Sequence, residues 1–192
     1  MIDWVTVEIA FKHPPIATDR YVKVNANGEV EFESVCRARV VGSYESTVGV
    51  KSLGSDGEGN ASHILIDGNP SKFLQGHNVF GSNDFIWLVR AMTTHVLGSL
   101  RASRALAHHM TYEENNAILA GEYRVTRVDI NESFELGNLL SVRSWLKAAE
   151  LKSKTRHGRP TSKGGTVYWG QHSRRWALKA YCKYDEIHSG KK

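Results

Sequence analysis

The sequence predicts an α+β domain with a largely antiparallel central sheet and two main helices. Three observations carry that expectation. Apolar residues alternate with a period of two through the first third of the chain, as in half-buried strands. Helical spacing appears only later, in two separate segments. The segments also run as strands, then helix and strand, then helix and two strands, an order that suits helices segregated from an antiparallel sheet.

Residues 3–11 set Val5, Val7, Ile9 and Phe11 against Thr6, Glu8 and Ala10, a strand with one face in a core. His13-Pro14-Pro15 ends it, because proline cannot continue a ladder. Residues 21–24 and 30–33 flank Asn25-Ala26-Asn27-Gly28-Glu29, whose Asn-Gly pair supplies the positive φ of a hairpin turn. Residues 39–44 and 47–53 read as two further strands, 54–60 as a flexible surface loop, and 63–67 as a short strand. A helix follows, with Ser82 or Asn83 as its cap and Asp84 in its first turn. Its buried stripe is Phe85, Leu88, Val89, Met92, Val96 and Leu100. Residues 123–134 read as a strand. Residues 136–151 read as the second helix, burying Leu139, Leu140, Val142, Trp145 and Leu146. A basic loop at 152–165 leads to two closing strands, 166–170 and 176–184.

A chain of 192 residues is expected to form a single domain that buries its core without disulfides. Its 41% hydrophobic and 23% charged residues are ordinary for a globular protein, and a formal charge of +5 suits a phosphate-rich partner or an anionic surface. Cys36 and Cys182 lack any zinc spacing and fit a reducing cytoplasm. Asp3 and Glu8 interrupt the early apolar run, so no signal peptide is expected, and no stretch is apolar enough for a bilayer. The expected location is cytoplasmic, with no membrane partner. The chain carries neither a GxxxxGK[ST] nucleotide loop nor an RNP-type aromatic motif.

Four segments carry chemistry. In residues 176–184, alternation gives one apolar face and one shared by Arg175, Ala177, Lys179, Tyr181 and Lys183. Flanking lysines favour negative charge on the Tyr181 oxygen, and a cationic face holds a phosphodiester. Tyr181 is then a nucleophile toward phosphate, or the surface tyrosine of an ordinary edge strand. In residues 123–131, Val125, Arg127, Asp129 and Asn131 share a face, and Asp129 reads as half of a salt bridge or as a hard oxygen ligand. His77, in a Gly-His-Asn turn, caps backbone or reaches a metal or a phosphate. His63 and Asp67 form a secondary pair. The 152–165 loop, with Lys154, Arg156, Arg159 and Lys163, is a solvated loop or a phosphate contact.

The string Asn69-Pro70-Ser71-Lys72-Phe73-Leu74-Gln75-Gly76-His77-Asn78-Val79-Phe80-Gly81 resembles a segment of the gene II replication initiators of filamentous phages. Arg127-Val128-Asp129 and Ala180-Tyr181-Cys182-Lys183 are similar to later segments of that family, in the same order. So are Thr166-Val167-Tyr168-Trp169 and the Ser173-Arg174 turn. The resemblance implies a rolling-circle initiator that nicks one origin strand, leaving a 5′-phosphotyrosyl link and a 3′-hydroxyl primer, and later religates. It assigns Tyr181 as nucleophile with Lys183 beside it. It assigns Asp129 and His77 to Mg²⁺ or Mn²⁺. DNA contact falls to Arg127, Lys154, Arg156, Arg159, Lys163, Arg174, Arg175 and Lys179. Implied partners are origin DNA and the host helicase and polymerase. The related plasmid nickases carry a His-x-His motif. This sequence has none, and its adjacent His108 and His109 diverge on either element type. The competing reading is a non-catalytic origin binder or copy-number regulator derived from such an initiator.

Overall fold

The computed structural model describes residues 1–107, 109–156 and 158–189, so the His108 of the adjacent histidine pair lies outside the described residues. The chain divides into two compact units, Met1–Glu132 and Ser133–Lys192.

The first unit is built on a five-stranded antiparallel sheet. Its strands are β1 (Ile2–His13), β4 (Ala38–Val41), β5 (Thr47–Leu53), β6 (Ala61–Gly68) and β7 (Arg124–Ile130). They lie in the order β4-β5-β6-β1-β7. The alternation expected in β1 is observed: Val5, Val7, Ile9 and Phe11 are at most 1% exposed. They meet Ile64 and Ile66 of β6, and Val48 and Val50 of β5, in one core. Helix α2 (Phe85–Ala102) closes that core with Leu88, Val89, Met92, Val96 and Leu100. Each such fully buried aliphatic contributes roughly 1.5–3 kcal/mol. Strands β2 (Arg20–Val24) and β3 (Val30–Val35) form a separate hairpin. Gly28 takes φ +83, and Asn25 Oδ1 accepts from the Asn27 and Glu29 amides.

Two short helices stand where none was expected. Helix α1 (Pro70–Gln75) occupies half of the 69–81 string. Asn69 caps it by accepting from the Lys72 amide, Pro70 takes its first turn, and Gly76 closes it at φ +85. Helix α3 (Tyr112–Leu119) opens on a capping box between Thr111 and Glu114. Phe73 of α1 is fully buried, its ring 4.9 Å from that of His95. A Cβ at Gly42 would collide with both the Phe73 ring and its carbonyl oxygen. Gly42→Ala therefore forces Phe73 out of place. The expected cost is about 1–3 kcal/mol, read as a lower urea midpoint at unchanged slope.

The second unit holds α4 (Leu139–Lys152), α5 (Lys183–Ser189) and the three-stranded antiparallel sheet β10-β9-β8. Its strands are β8 (Thr161–Lys163), β9 (Thr166–Trp169) and β10 (Leu178–Ala180). Its small core is Leu146, Val167, Trp169 and Cys182, and Trp169 Nε1 donates to Ser153 Oγ at 2.9 Å.

Several boundaries differ from expectation, each for a local reason. The cap of α2 is Asp84 itself, accepting from the Trp87 amide, rather than Ser82 or Asn83. Helix α4 starts at Leu139, because Gly137 at φ +80 and the Asn138 cap end the preceding coil. Leu140 and Trp145 are 75% and 51% exposed, so only the Leu146 side of α4 is buried. The closing strand stops at Ala180, opposite Val167, and the chain turns into α5 at Lys183. Asp185 and Glu186 fall in the first turn of α5, where the helix dipole favours acids. Within the basic loop, Gly164 and Gly165 turn β8 back onto β9 at φ +58 and +79. Among the described residues, no helix is long and apolar enough to cross a membrane.

Candidate functional site

In the first unit the side chains of β1 that do not enter the core form a polar sheet face. Register puts Thr6 opposite Asp67 on one side and Arg127 on the other, and Trp4 opposite Asp129. Asp67 is nearly enclosed. Thr6 Oγ1 donates to it at 2.5 Å, Trp4 Nε1 at 3.1 Å, and Arg37 caps its second oxygen. Arg127 forks onto Asp129, with Nε and Nη2 donating at 2.9 and 2.6 Å, and its guanidinium lies 5.4 Å from the Trp4 ring centroid. The hydrogen-bonded Asp129, with a smaller contribution from Asp67, holds the Arg127 pKa above its ordinary value. Farther along, Arg124 pairs with Glu8 at 3.1 Å, and these two help line an open cleft of about 630 Å³ with His63 and Tyr123.

This face joins some expected residues and separates others. Arg127 and Asp129 do share a face. Asp67 lies on the same face through β1, joined by Trp4, Thr6 and Arg37, which were not foreseen. The strand periods of residues 3–11 and 63–67 were readable; that β1 runs between β6 and β7 was not. His63 sits across from Ala10, four pairs along the ladder from the Thr6–Asp67 position.

His77 lies just beyond α1, exposed, with its ring edge-on to Phe80 at 6.5 Å. Its loop is pinned at two points. Gln75 Nε2 donates to the His77 carbonyl at 3.2 Å and to the Phe80 carbonyl. Asp3 Oδ1 accepts from both Asn69 Nδ2 at 2.8 Å and Asn78 Nδ2 at 3.0 Å, tying the two ends of the segment to β1. Tyr44, at φ +48, lies against Gly76, where an added Cβ would run into the Tyr44 ring. Both oxygens of Asp129 are taken by Arg127, and among the described residues no three His, Cys, Asp or Glu side chains converge as a metal shell. The residues as placed therefore do not form a site for Mg²⁺ or Mn²⁺ around Asp129 and His77.

In the second unit Tyr181 follows β10 directly and is half-buried, and Lys179 Nζ lies 5.6 Å from its ring centroid. Register across β10-β9-β8 places Lys179, Tyr168 and Thr161 in one row, with Lys163 opposite Thr166 on the same face. That face lies opposite Val167 and Trp169, which pack in the core. Lys183 does not share it. As the first residue of α5, it pairs with Glu186 at 2.5 Å. The five-residue face expected around Tyr181 reduces to Lys179, because β10 ends at Ala180 and the chain turns into α5 at Lys183. Arg174 and Arg175 sit in the β9–β10 turn, where Ser173 Oγ accepts from the Arg175 amide at 3.2 Å. Lys154, Arg156, Arg159, Lys163, Arg174, Arg175 and Lys179 are all exposed. Tyr184 stacks on His188 within α5, ring centroids 3.9 Å apart.

Helix α5 is tied to α4 by Arg143, whose Nη2 donates to Asp185 Oδ1 at 2.8 Å. The Arg143 hydrogen bond holds the Asp185 carboxyl below the usual carboxylate range. A depressed carboxylate pKa gives a tie that is complete above the unfolded value near ~3.9 and lost as pH falls through the lower, folded value. An NMR titration of the Asp185 carboxyl carbon is expected to show a midpoint below that of an ordinary aspartate. In Arg143→Gln the midpoint returns to the ordinary range.

The family of phage replication-associated gene II proteins, described by its N-terminal region, matches residues 1–192. The replication-associated gene II protein of Enterobacteria phage I2-2 is 50% identical over 192 residues, covering 100% of this chain and 54% of that protein. The chain thus spans about half the length of the curated relative it matches. No solved structure matches it.

Proposed function

This chain belongs to the family of replication-associated gene II proteins, and from that membership we propose that it initiates phage DNA replication by nicking one strand of origin DNA with Tyr181. The observation that carries the residue assignment is the position of Tyr181. It directly follows β10, half-buried, with the ammonium of Lys179 over its ring, and Lys179 shares a sheet face with Lys163.

In the proposed step, the Tyr181 oxygen attacks the scissile phosphorus. The new O–P bond forms as the bond from phosphorus to the 3′ oxygen breaks. The phenol proton is lost as the leaving 3′ oxygen gains one, giving a 5′-phosphotyrosyl link and a free 3′-hydroxyl. Attack by that hydroxyl, or by another 3′ end, reverses the exchange and reseals a strand. Bond energy is conserved throughout, so no nucleotide is consumed. Lys179 stabilises negative charge on the phenolate and on the phosphoryl oxygens. Lys154, Arg156, Arg159, Arg174 and Arg175 hold the backbone without reading sequence, and Arg127 does so from the first unit. Lys183 supports the segment from α5, through Glu186, rather than facing the phosphate.

Nicking is proposed to require Mg²⁺ or Mn²⁺. Host helicase and polymerase would use the 3′ end in the cytoplasm. A second reading, binding without cleavage, draws on the Arg127–Asp129 fork, which engages both oxygens of that carboxylate. The test is conversion of supercoiled origin DNA to open circles by the purified chain with Mg²⁺, with Mn²⁺ and with EDTA. Nicking that requires the ion supports the proposal. Tight binding with no nicking under any condition replaces it with the second reading.

A further inference from the structure

Between α1 and the start of α2 lies a cleft of about 230 Å³, lined in part by Ser71, Gln75, Phe80, Gly81, Trp87 and Leu88. At its base is an anomaly. Ser71 is 3% exposed, and its Oγ is the one buried side-chain polar atom among the described residues with no hydrogen-bond partner. A buried helical serine can satisfy its hydroxyl by bonding back to the carbonyl four residues earlier. Ser71 is the second residue of α1, and residue 67 belongs to β6 instead. Buried hydroxyls without partners are rare enough to need an explanation. A Cβ at Gly81 would stand 2.8 Å from that oxygen, so a side chain there would close on the hydroxyl. At the mouth, Trp87 and Phe80 are 52% and 77% exposed. No lining residue is charged.

We infer that this cleft receives a single unpaired nucleobase, which stacks on Trp87 and presents a polar edge to the Ser71 hydroxyl; the inference rests on the DNA reading above. The features fit that ligand class together. The volume lies below the roughly 300–1,000 Å³ of drug-sized sites and suits one ring system. Aromatic faces at the mouth bind bases of any sequence by stacking. A hydroxyl is donor and acceptor at once, so it can pair with the edge of any base. The absence of charge in the lining leaves the phosphates to contacts outside the cleft.

The experiment measures binding of single-stranded 12-mers of dA, dC, dG and dT, and of a fully abasic 12-mer, by fluorescence anisotropy. The expected wild-type result is tighter binding of base-bearing strands by about 5- to 100-fold, the range that one base–aromatic stack gives. Trp87→Ala removes that ratio and leaves abasic binding unchanged, while Trp87→Phe keeps most of it. Ser71→Ala narrows the spread among the four bases. It also leaves the thermal midpoint unchanged or raised, because the hydroxyl it removes has no partner to lose. Equal binding of base-bearing and abasic strands by the wild type, or an unchanged ratio in Trp87→Ala, overturns the inference while leaving DNA binding intact. Failure of the wild type to bind any strand overturns the DNA reading and the inference together.

Discussion

Replacing Tyr181 with phenylalanine is expected to lower nicking and covalent DNA attachment by at least about 10³-fold, the scale on which enzymes lose activity when a nucleophile is removed. The substitution removes one oxygen from a half-buried ring. The ring keeps its place beside Lys179, so the fold and the phosphate contacts of the basic residues are expected to survive. Affinity for origin DNA should therefore change less than about tenfold, a bound set by the roughly 1 kcal/mol worth of a hydrogen bond. Tyr184→Phe is the matched control. Tyr184 lies on α5 stacked against His188, outside the β10 face, and its variant should nick at the wild-type rate. Lys179→Gln should fall between the two, because a cation near the reacting oxygen stabilises charge without forming a bond. Activity retained in Tyr181→Phe would remove the nucleophile assignment outright.

Phe73→Ala should be the most destabilising single change in the first unit, at about 3–5 kcal/mol. Its ring is fully buried between the sheet core and His95, and Gly42 has no side chain in order to admit it. Deleting the ring leaves a cavity that the backbone of α1 cannot fill. That helix is pinned by its Asn69 cap, and beyond it Asn78 is tied to Asp3. Denaturant unfolding followed by tryptophan fluorescence should show the loss. A cost below about 1 kcal/mol would mean that α1 is not anchored through Phe73. The result also divides the labour within the 69–81 segment. Phe73 serves the core, whereas His77 and Phe80 are exposed.

The parts of this fold that were legible in the sequence are those set by local chemistry. Asn27-Gly28 demanded a tight turn, and the β2–β3 hairpin forms around it. The helical stripe of α2 was equally plain, because burial on one face of a long helix leaves a periodic trace. Helices α1 and α3 were not expected, although Asn69-Pro70 with Gly76, and Thr111 with Glu114, carry their capping signals. Those signals are short and resemble turns. What no local pattern carries is which strands are neighbours. Asp67 meets Thr6 and Trp4 only because β1 lies beside β6, a pairing 61 residues apart. The end of β10 was illegible for the same reason. The alternation of residues 178–184 fits a continued strand, but β10 stops at Ala180 and the helix α5 takes over from Lys183. Of the candidate residues, Tyr181 and Lys179 kept the mutual position their alternation implied. Lys183 lost it to the helix, and Arg127 holds Asp129 in the salt bridge that was the alternative to a metal ligand.

The chain is incubated with single-stranded origin DNA and Mn²⁺, denatured, treated with nuclease and trypsin, and searched by mass spectrometry for a peptide carrying a nucleotide on tyrosine. Trypsin cleaves after Lys179 and Lys183, so Tyr181 and Tyr184 fall on different peptides. The expected result is a nucleotide on Ala180-Tyr181-Cys182-Lys183, through a 5′-phosphotyrosyl bond. A nucleotide on any other peptide, or cleavage of the DNA with no adduct at all, would contradict it.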